Sequence, residues 1–180
     1  MATKLDKLLI VDVEATCWLG KPPPGEVNEI IEVGLCVFDL PTWEPMERLS
    51  IPVRPVLSSC SHYCTELTGW TNDKLKNANS FSDACNLLTT VYNSRRRVWA
   101  SWGDYDRLQF ERDCNRKSVD YPFGTTHFNL KPMFSMWKKL KKGLGLKTAL
   151  KHCGLEMEGI HHAGDWDAWN VGRILQHGRL

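Results

Sequence analysis

The stretch LLIVDVEATCW, residues 8–18, restricts this chain to a narrow set of folds. A run of apolar residues reads as a buried strand, yet two carboxylates, Asp12 and Glu14, follow at once. Side chains two apart on a strand share a face, so these acids stand side by side. They repel one another, and burying either one unpaired costs several kcal/mol. A strand that ends this way calls for positive charge at its carboxyl end.

Punctuation along the chain places the other elements. The first strand, 8–14, runs into a loop broken by Pro22-Pro23-Pro24-Gly25. Residues 30–39 read as a second strand, and 49–55 as a third, near a sheet edge because of its prolines. Phe81, Ala84, Leu87, Leu88 and Val91 keep helical spacing through 81–93. A strand at 97–102 precedes a helix beginning near Asp104. Residues 131–142 read as a helix with Met133, Met136, Trp137 and Leu140 on its apolar side. A short helix over 147–154 is capped by Thr148 and ended by Gly154, and the last helix runs from about Asp165 to His177. Strands come early and helices late, without repeats, which predicts an α/β fold: a mixed central sheet with helices packed on it. At 180 residues the chain suits one domain.

Composition narrows the setting. A net charge of +2 does not by itself demand a polyanionic partner, although basic residues cluster at Arg95-Arg96-Arg97 and at Lys138-Lys139 with Lys141-Lys142. Seven cysteines, an odd count without repeated CxxC spacing, predict free thiols in a reducing, intracellular and cytoplasmic environment. Cys60-Ser61-His62-Tyr63-Cys64 lacks the second ligand pair of a zinc site and reads as ordinary loop. No apolar run approaches the roughly 18 residues of a membrane span. Asp12 and Glu14 interrupt the only early apolar run, which argues against a signal peptide.

Two further acids attract attention. Ala168, Val171, Ile174 and Leu175 form the buried stripe of the last helix, and Asp167 stands four residues before Val171, on that inward face. An acid in a first helical turn is also favoured by the helix dipole alone, and that plainer reading stays open. In WGDYD, Asp104 takes the capping position while Asp106, four before Phe110, points with the apolar face; the two can exchange roles. Asp12, Glu14, Asp106 and Asp167 are hard oxygen donors suited to Mg2+ or Mn2+. Four carboxylates exceed the charge of one divalent ion, so two ions roughly 4 Å apart fit better, an arrangement that supports in-line displacement at phosphorus. His162, five residues before Asp167, would then be an imidazole able to take a proton from water; a plain surface histidine is the alternative.

These residues resemble a known family. Asp12-Val13-Glu14-Ala15-Thr16, Tyr105-Asp106, and His162 followed after four residues by Asp167 resemble, in order, the three motifs of the DEDDh 3′-to-5′ exonucleases, which share the ribonuclease-H-like fold. DVEATCW, YCTELTGWT, GDYD and HHAGDWDAWNVGRI are similar to the Eri-like subgroup, related to histone-mRNA 3′-exonuclease. The resemblance implies a single exonuclease domain over 1–180, with Asp12, Glu14, Asp106 and Asp167 binding two Mg2+ ions (Mn2+ substituting) and His162 as general base. It implies that Tyr63 and Tyr105 surround the terminal nucleotide and that Ala15 and Thr16 lie next to its 3′ end. Trp166 separates Asp165 from Asp167 where relatives often carry adjacent aspartates, so either acid is a candidate ligand, with helical direction favouring Asp167. The start of the chain, so close to the first strand, is expected to leave no room for the accessory RNA-binding domain of some relatives.

The resulting expectation is a metal-dependent 3′-to-5′ exonuclease that hydrolyses single-stranded RNA from its 3′ end to 5′-mononucleotides. A single-stranded DNA exonuclease of the same fold is the nearer alternative, because stacking and phosphate contacts discriminate poorly between sugars. A catalytically silent RNA-binding adaptor is the more distant one; it would lack an acid or the histidine, and all five are present. His161 falls outside the motif spacing and is expected to have no role.

Overall fold

The computed structural model describes residues 3–178. Five strands form one sheet in the order β3-β2-β1-β4-β5: β1 (Lys4–Ala15), β2 (Ile30–Asp39), β3 (Glu44–Pro52), β4 (Arg97–Ser101) and β5 (His127–Asn129). β1 pairs antiparallel with β2 and parallel with β4, which makes the sheet mixed. β2 is buried along nearly its whole length, because helices cover both faces.

Alternation along β1 decides which face receives the acids. Leu9, Val11 and Val13 point into a core completed by α3 (Phe81–Thr90) and α4 (Tyr105–Lys117), which holds Phe81, Leu88 and Phe110 together with Trp99, stacked on Phe123. Leu8 and Ile10 point the other way, into a core built by α5 (Leu130–Trp137), α6 (Leu146–His152) and α7 (Gly164–His177). Leu9 and Ile10 are fully buried, each contributing about 2 kcal/mol through apolar area removed from water. With a period of two, Asp12 and Glu14 continue the Leu8–Ile10 row and face α7. β4 pairs with β1 only as far as Ile10 and ends at Ser101, so the two strands separate where the acids begin.

Several boundaries differ from those the sequence suggests. The third strand begins five residues earlier and ends three earlier than 49–55, and it is an edge strand as its prolines imply; the Val53 N–H beyond it donates to the Ile31 carbonyl at 2.8 Å, and Val53 forms an isolated bridge with Asn79. The turn-rich stretch holds two short helices, α1 (His62–Thr68) and α2 (Asn72–Leu75), capped by the side chains of Ser61 and Thr71. α5 stops at Trp137 rather than running to residue 142. Lys139 adopts a left-handed φ of 55°, its N–H donates to Met136, and Leu140 N–H donates to Ser135 at 2.8 Å, a Schellman closure made without glycine. Thr148 does not cap α6, which already begins at Leu146 with Gly145 in the capping position; Gly154 does end it, at φ 70°. Asp104 occupies the N-cap position of α4 but makes no capping bond, and its oxygens accept from Asn129 Nδ2 at 2.9 Å and Arg107 Nη2 at 3.5 Å. All seven cysteines are free. Among the described residues, no helix is long and apolar enough to cross a membrane.

One contact seats α7 on the sheet. A Cβ on Gly34 of β2 would lie 1.9 Å from the carbonyl carbon of Gly164, and a Cβ on Gly164 would lie 3.1 Å from the Asp12 carbonyl oxygen. Backbone rests on backbone there, so the first turn of α7 lies directly over the acid-bearing end of β1. Gly34→Ala is therefore expected to lower the unfolding free energy by about 3 kcal/mol or more, because main chain cannot give way as a side chain can. A denaturant titration showing a loss below about 1 kcal/mol would contradict this seating.

Candidate active site

The end of β1, the first turn of α7 and the first turn of α4 converge. Single carboxylate oxygens of Asp12, Glu14 and Asp167 all lie within 4.8 Å of one another. Asp167 is 4 % exposed and reaches this position because Gly164, three residues earlier, packs on Gly34. Asp106 comes from the first turn of α4. Where β4 has left β1, the Val13 N–H is unpaired by sheet, and Asp106 Oδ1 accepts it at 2.9 Å. The same bond anchors α4 to β1.

The electrostatics are lopsided. Burial raises the Asp12 carboxyl well above its ordinary value, and the negative charges of Asp106, Glu14 and Asp167 raise it further. Burial, with Asp167 and Glu32 next, pushes Glu14 up to about 9. Asp106 rises to about 6 for the same first cause, held lower than Glu14 by the N–H groups of Val13 and its own backbone. Among the described residues no lysine or arginine forms an ion pair with any of the four; the close basic groups are His161 and His162, each with a ring nitrogen within 4.8 Å of an Asp167 oxygen. Oxygen donors that resist ionisation for lack of a counter-charge fit a hard divalent cation.

The paired candidates separate by their neighbours. Asp165 forms an ion pair with Arg48, whose guanidinium also stacks 3.5 Å from the Trp166 ring centroid, so that acid is neutralised on the flank of the helix. Asp104 is half exposed, with Arg107 and Asn129 as partners. Asp106 and Asp167 face the cluster instead.

Both histidines approach Asp167. The His162 backbone N–H donates to Asp167 Oδ2 at 3.0 Å, from a left-handed φ of 66°. His161 Nδ1 lies 2.9 Å from the same oxygen, and the two imidazoles stack with centroids 3.9 Å apart. Burial first, and then the neighbouring His161, lowers the His162 pKa, with Asp167 opposing. His162 thus favours the neutral form that accepts a proton. The motif spacing passed over His161; the only sequence signal for it was its adjacency to His162.

The remaining candidates divide. Tyr63 and Tyr105 are 38 % and 50 % exposed, as stacking surfaces must be. Ala15 is nearly buried. Thr16 turns inward, its hydroxyl donating to Val27 and accepting from the Glu29 N–H, both at 2.9 Å, so that it closes the 16–29 loop and has no hydroxyl free for a ligand. Glu32 was not foreseen. It stands opposite Glu14 on β2, is 2 % exposed, and accepts from Ser50 Oγ at 2.6 Å, Trp70 Nε1 at 2.8 Å and Gly164 N–H at 3.1 Å. An acid inside the otherwise apolar run IIEVGLCVF was its signal.

Comparison with known proteins gives a consistent result. A family model described as RNase_T, Exonuclease, matches residues 9–175. The 3′-5′ exonuclease Snipper of Drosophila melanogaster is 27% identical, over 93% of this chain and 67% of the relative. The 3′-5′ exoribonuclease 1 of Homo sapiens is 28% identical, over 94% of this chain and 51% of the relative, so the chain spans about half that protein's length. A crystal structure of the nuclease domain of 3′hExo, a DEDDh family member, bound to rAMP, superposes with a TM-score of 0.87 at 25% identity, covering 98% of this chain and 92% of that one. The fold is thus that of the ribonuclease-H-like DEDDh exonucleases.

The raised carboxylates carry a pH signature. Glu14 keeps its proton in the folded chain at pH values where the unfolded chain has lost it, so folding is favoured at low pH and this contribution disappears as pH rises. For metal-free protein it should be lost progressively from about pH 4.5 to about pH 9. Urea melts across that range are expected to show a shallower decline for Glu14→Gln than for wild type. Parallel curves would contradict the raised pKa.

Proposed function

The chain belongs to the RNase_T exonuclease family, of which the Eri-like DEDDh enzymes are members, and from that premise we propose that it is a metal-dependent 3′-to-5′ exoribonuclease. Its substrate is single-stranded RNA, trimmed from the 3′ end to 5′-mononucleotides, and residues 1–180 act as one exonuclease domain. The observation that carries this reading is the convergence of Asp12, Glu14 and Asp167 within 4.8 Å, with Asp106 beside them and no arginine or lysine paired to any of the four among the described residues. RNA as the substrate is supported by the exoribonuclease relatives, each a likeness rather than an identity.

Asp12, Glu14, Asp106 and Asp167 would hold two Mg2+ ions, for which Mn2+ can substitute. When bound, such a pair supplies activation of water and stabilisation of the leaving oxygen. The chain's own residues do the rest. His162 takes the proton of the attacking water at a ring nitrogen, for which its depressed pKa keeps it ready. Asp167 accepts the His162 backbone N–H and so fixes the loop that carries the imidazole. Tyr63 and Tyr105 offer exposed rings for the terminal base, and the backbone around Ala15 borders the 3′ end.

His162→Ala is expected to lower kcat on single-stranded RNA by roughly 10²- to 10⁴-fold, the usual worth of general-base catalysis, with little change in KM. Wild-type turnover should rise with pH along a limb lying below the ordinary histidine value of 6.5, and the variant should lack that limb. His161→Ala, which leaves His162 in place, should fall far short of this loss. Full-rate hydrolysis by His162→Ala would remove the general-base assignment while leaving exonuclease activity itself standing.

A further inference from the structure

The segment from Tyr121 to Leu155, which builds β5, α5 and α6, contains no aspartate or glutamate. It carries seven lysines, from Lys131 to Lys151. Removing those seven from the chain's 23 basic residues leaves 16 against 21 acids, so the rest of the molecule is acidic while this segment is purely cationic. Protein surfaces ordinarily intersperse both signs. The lysines that form ion pairs, Lys7 and Lys117, lie elsewhere, and among the described residues none of the seven pairs with a carboxylate. The other basic run differs: Arg97 pairs with Asp6 at 2.7 Å and Arg95 with Asp120 at 3.3 Å.

Hydrogen bonds hold this surface in place. The Schellman turn holds Lys139, and Ser135 Oγ donates to the Lys142 carbonyl at 3.3 Å, folding the turn back on α5. Trp102 Nε1 donates to the Leu144 carbonyl at 3.0 Å. Trp102 follows the last residue of β4 and stands four residues before Asp106, so that bond ties the turn after Lys141–Lys142 to the segment that leads from β4 to Asp106. From there Lys147 and Lys151 continue along α6, whose Ala149 and Leu150 share a core with Val171 of α7. Lys139, Lys141, Lys142, Lys147 and Lys151 are all exposed.

We propose that this acid-free lysine surface is the docking track for the phosphate backbone of the substrate strand, 5′ of the nucleotide being removed. The inference rests on the exonuclease reading above and adds where the strand runs. Four clustered carboxylates repel a polyanion, and so does the net charge of the remainder of the chain. A strand held at its 3′ end therefore gains by lying along an extended surface that holds no acid and whose lysines are not already paired.

The test replaces Lys139, Lys141, Lys142 and Lys147 together by glutamine, with a second variant carrying arginine at all four. On long single-stranded RNA at low salt the glutamine variant should lose about tenfold or more in kcat/KM, and its slope of log(kcat/KM) against log[salt] should flatten by about 0.7 for each phosphate contact removed. Dinucleotide hydrolysis should be unchanged, and the arginine variant should keep the wild-type slope. Equal losses on both lengths, or an unchanged salt slope, would overturn the track. So would lost binding to phosphatidylserine vesicles with RNA behaviour intact, which would mark a membrane-facing surface. If wild type hydrolyses neither length with Mg2+ or Mn2+, the exonuclease reading fails instead; filter binding of the uncleaved RNA over the same salt series then decides the track alone.

Discussion

The contact of Gly34 with Gly164, backbone on backbone, is the constraint from which the site follows. It sets the height of α7 above the sheet, and Glu32 reinforces it by accepting the Gly164 N–H. Once the helix is seated, Asp167 has no choice but to hang over Asp12 and Glu14, because the first helical turn and the Leu8–Ile10 row of β1 face one another. The energetic consequence is adverse. Burying carboxylates without a counter-charge costs several kcal/mol each, more than the roughly 1.5–3 kcal/mol that a hydrogen bond to a charged group, such as Val13 N–H to Asp106, returns. The fold therefore concentrates negative charge that a bound cation relieves, and such a cation stabilises the folded state by mass action.

Arg48 shows that the missing counter-charge is a matter of placement. It reaches the N-terminal end of α7, but it pairs with Asp165 and stacks on Trp166. A Cβ at Gly159 would lie 2.0 Å from that same indole, so the loop carrying His161 and His162 is packed against it as well. Trp166 thus carries the histidine loop on one side, and Arg48 holds Trp166 and Asp165 without entering the acid cluster. The two aspartates of DWD are divided by this arrangement, one structural and one facing the cluster.

Much of this was legible before folding, for reasons that differ by residue. Asp12 and Glu14 could be placed by period-two alternation, and Asp106 and Asp167 by helical phase relative to Phe110 and Val171. Both are local signals that survive in sequence. Glu32 had no such route, since its partners Trp70 and Gly164 lie 38 and 132 residues away. β5 and α2 are too short, at three and four residues, for any periodicity to register. The end of α5 was hidden because lysine, rather than glycine, takes the left-handed position at 139. Thr16 was placed next to the 3′ end by its motif, whereas its hydroxyl is engaged by the loop it closes.

The most direct measurement follows RNA oligomers labelled at either end, with Mg2+ or with EDTA, for wild type, Asp167→Asn and Asp165→Asn. A two-metal 3′-to-5′ exonuclease releases a labelled mononucleotide immediately from the 3′-labelled strand and gives a descending ladder from the 5′-labelled one, and both are expected here. EDTA and Asp167→Asn should abolish both, and Asp165→Asn should preserve them. Hydrolysis that persists in EDTA, internal cleavage, or loss of activity in Asp165→Asn with Asp167→Asn still active would contradict it.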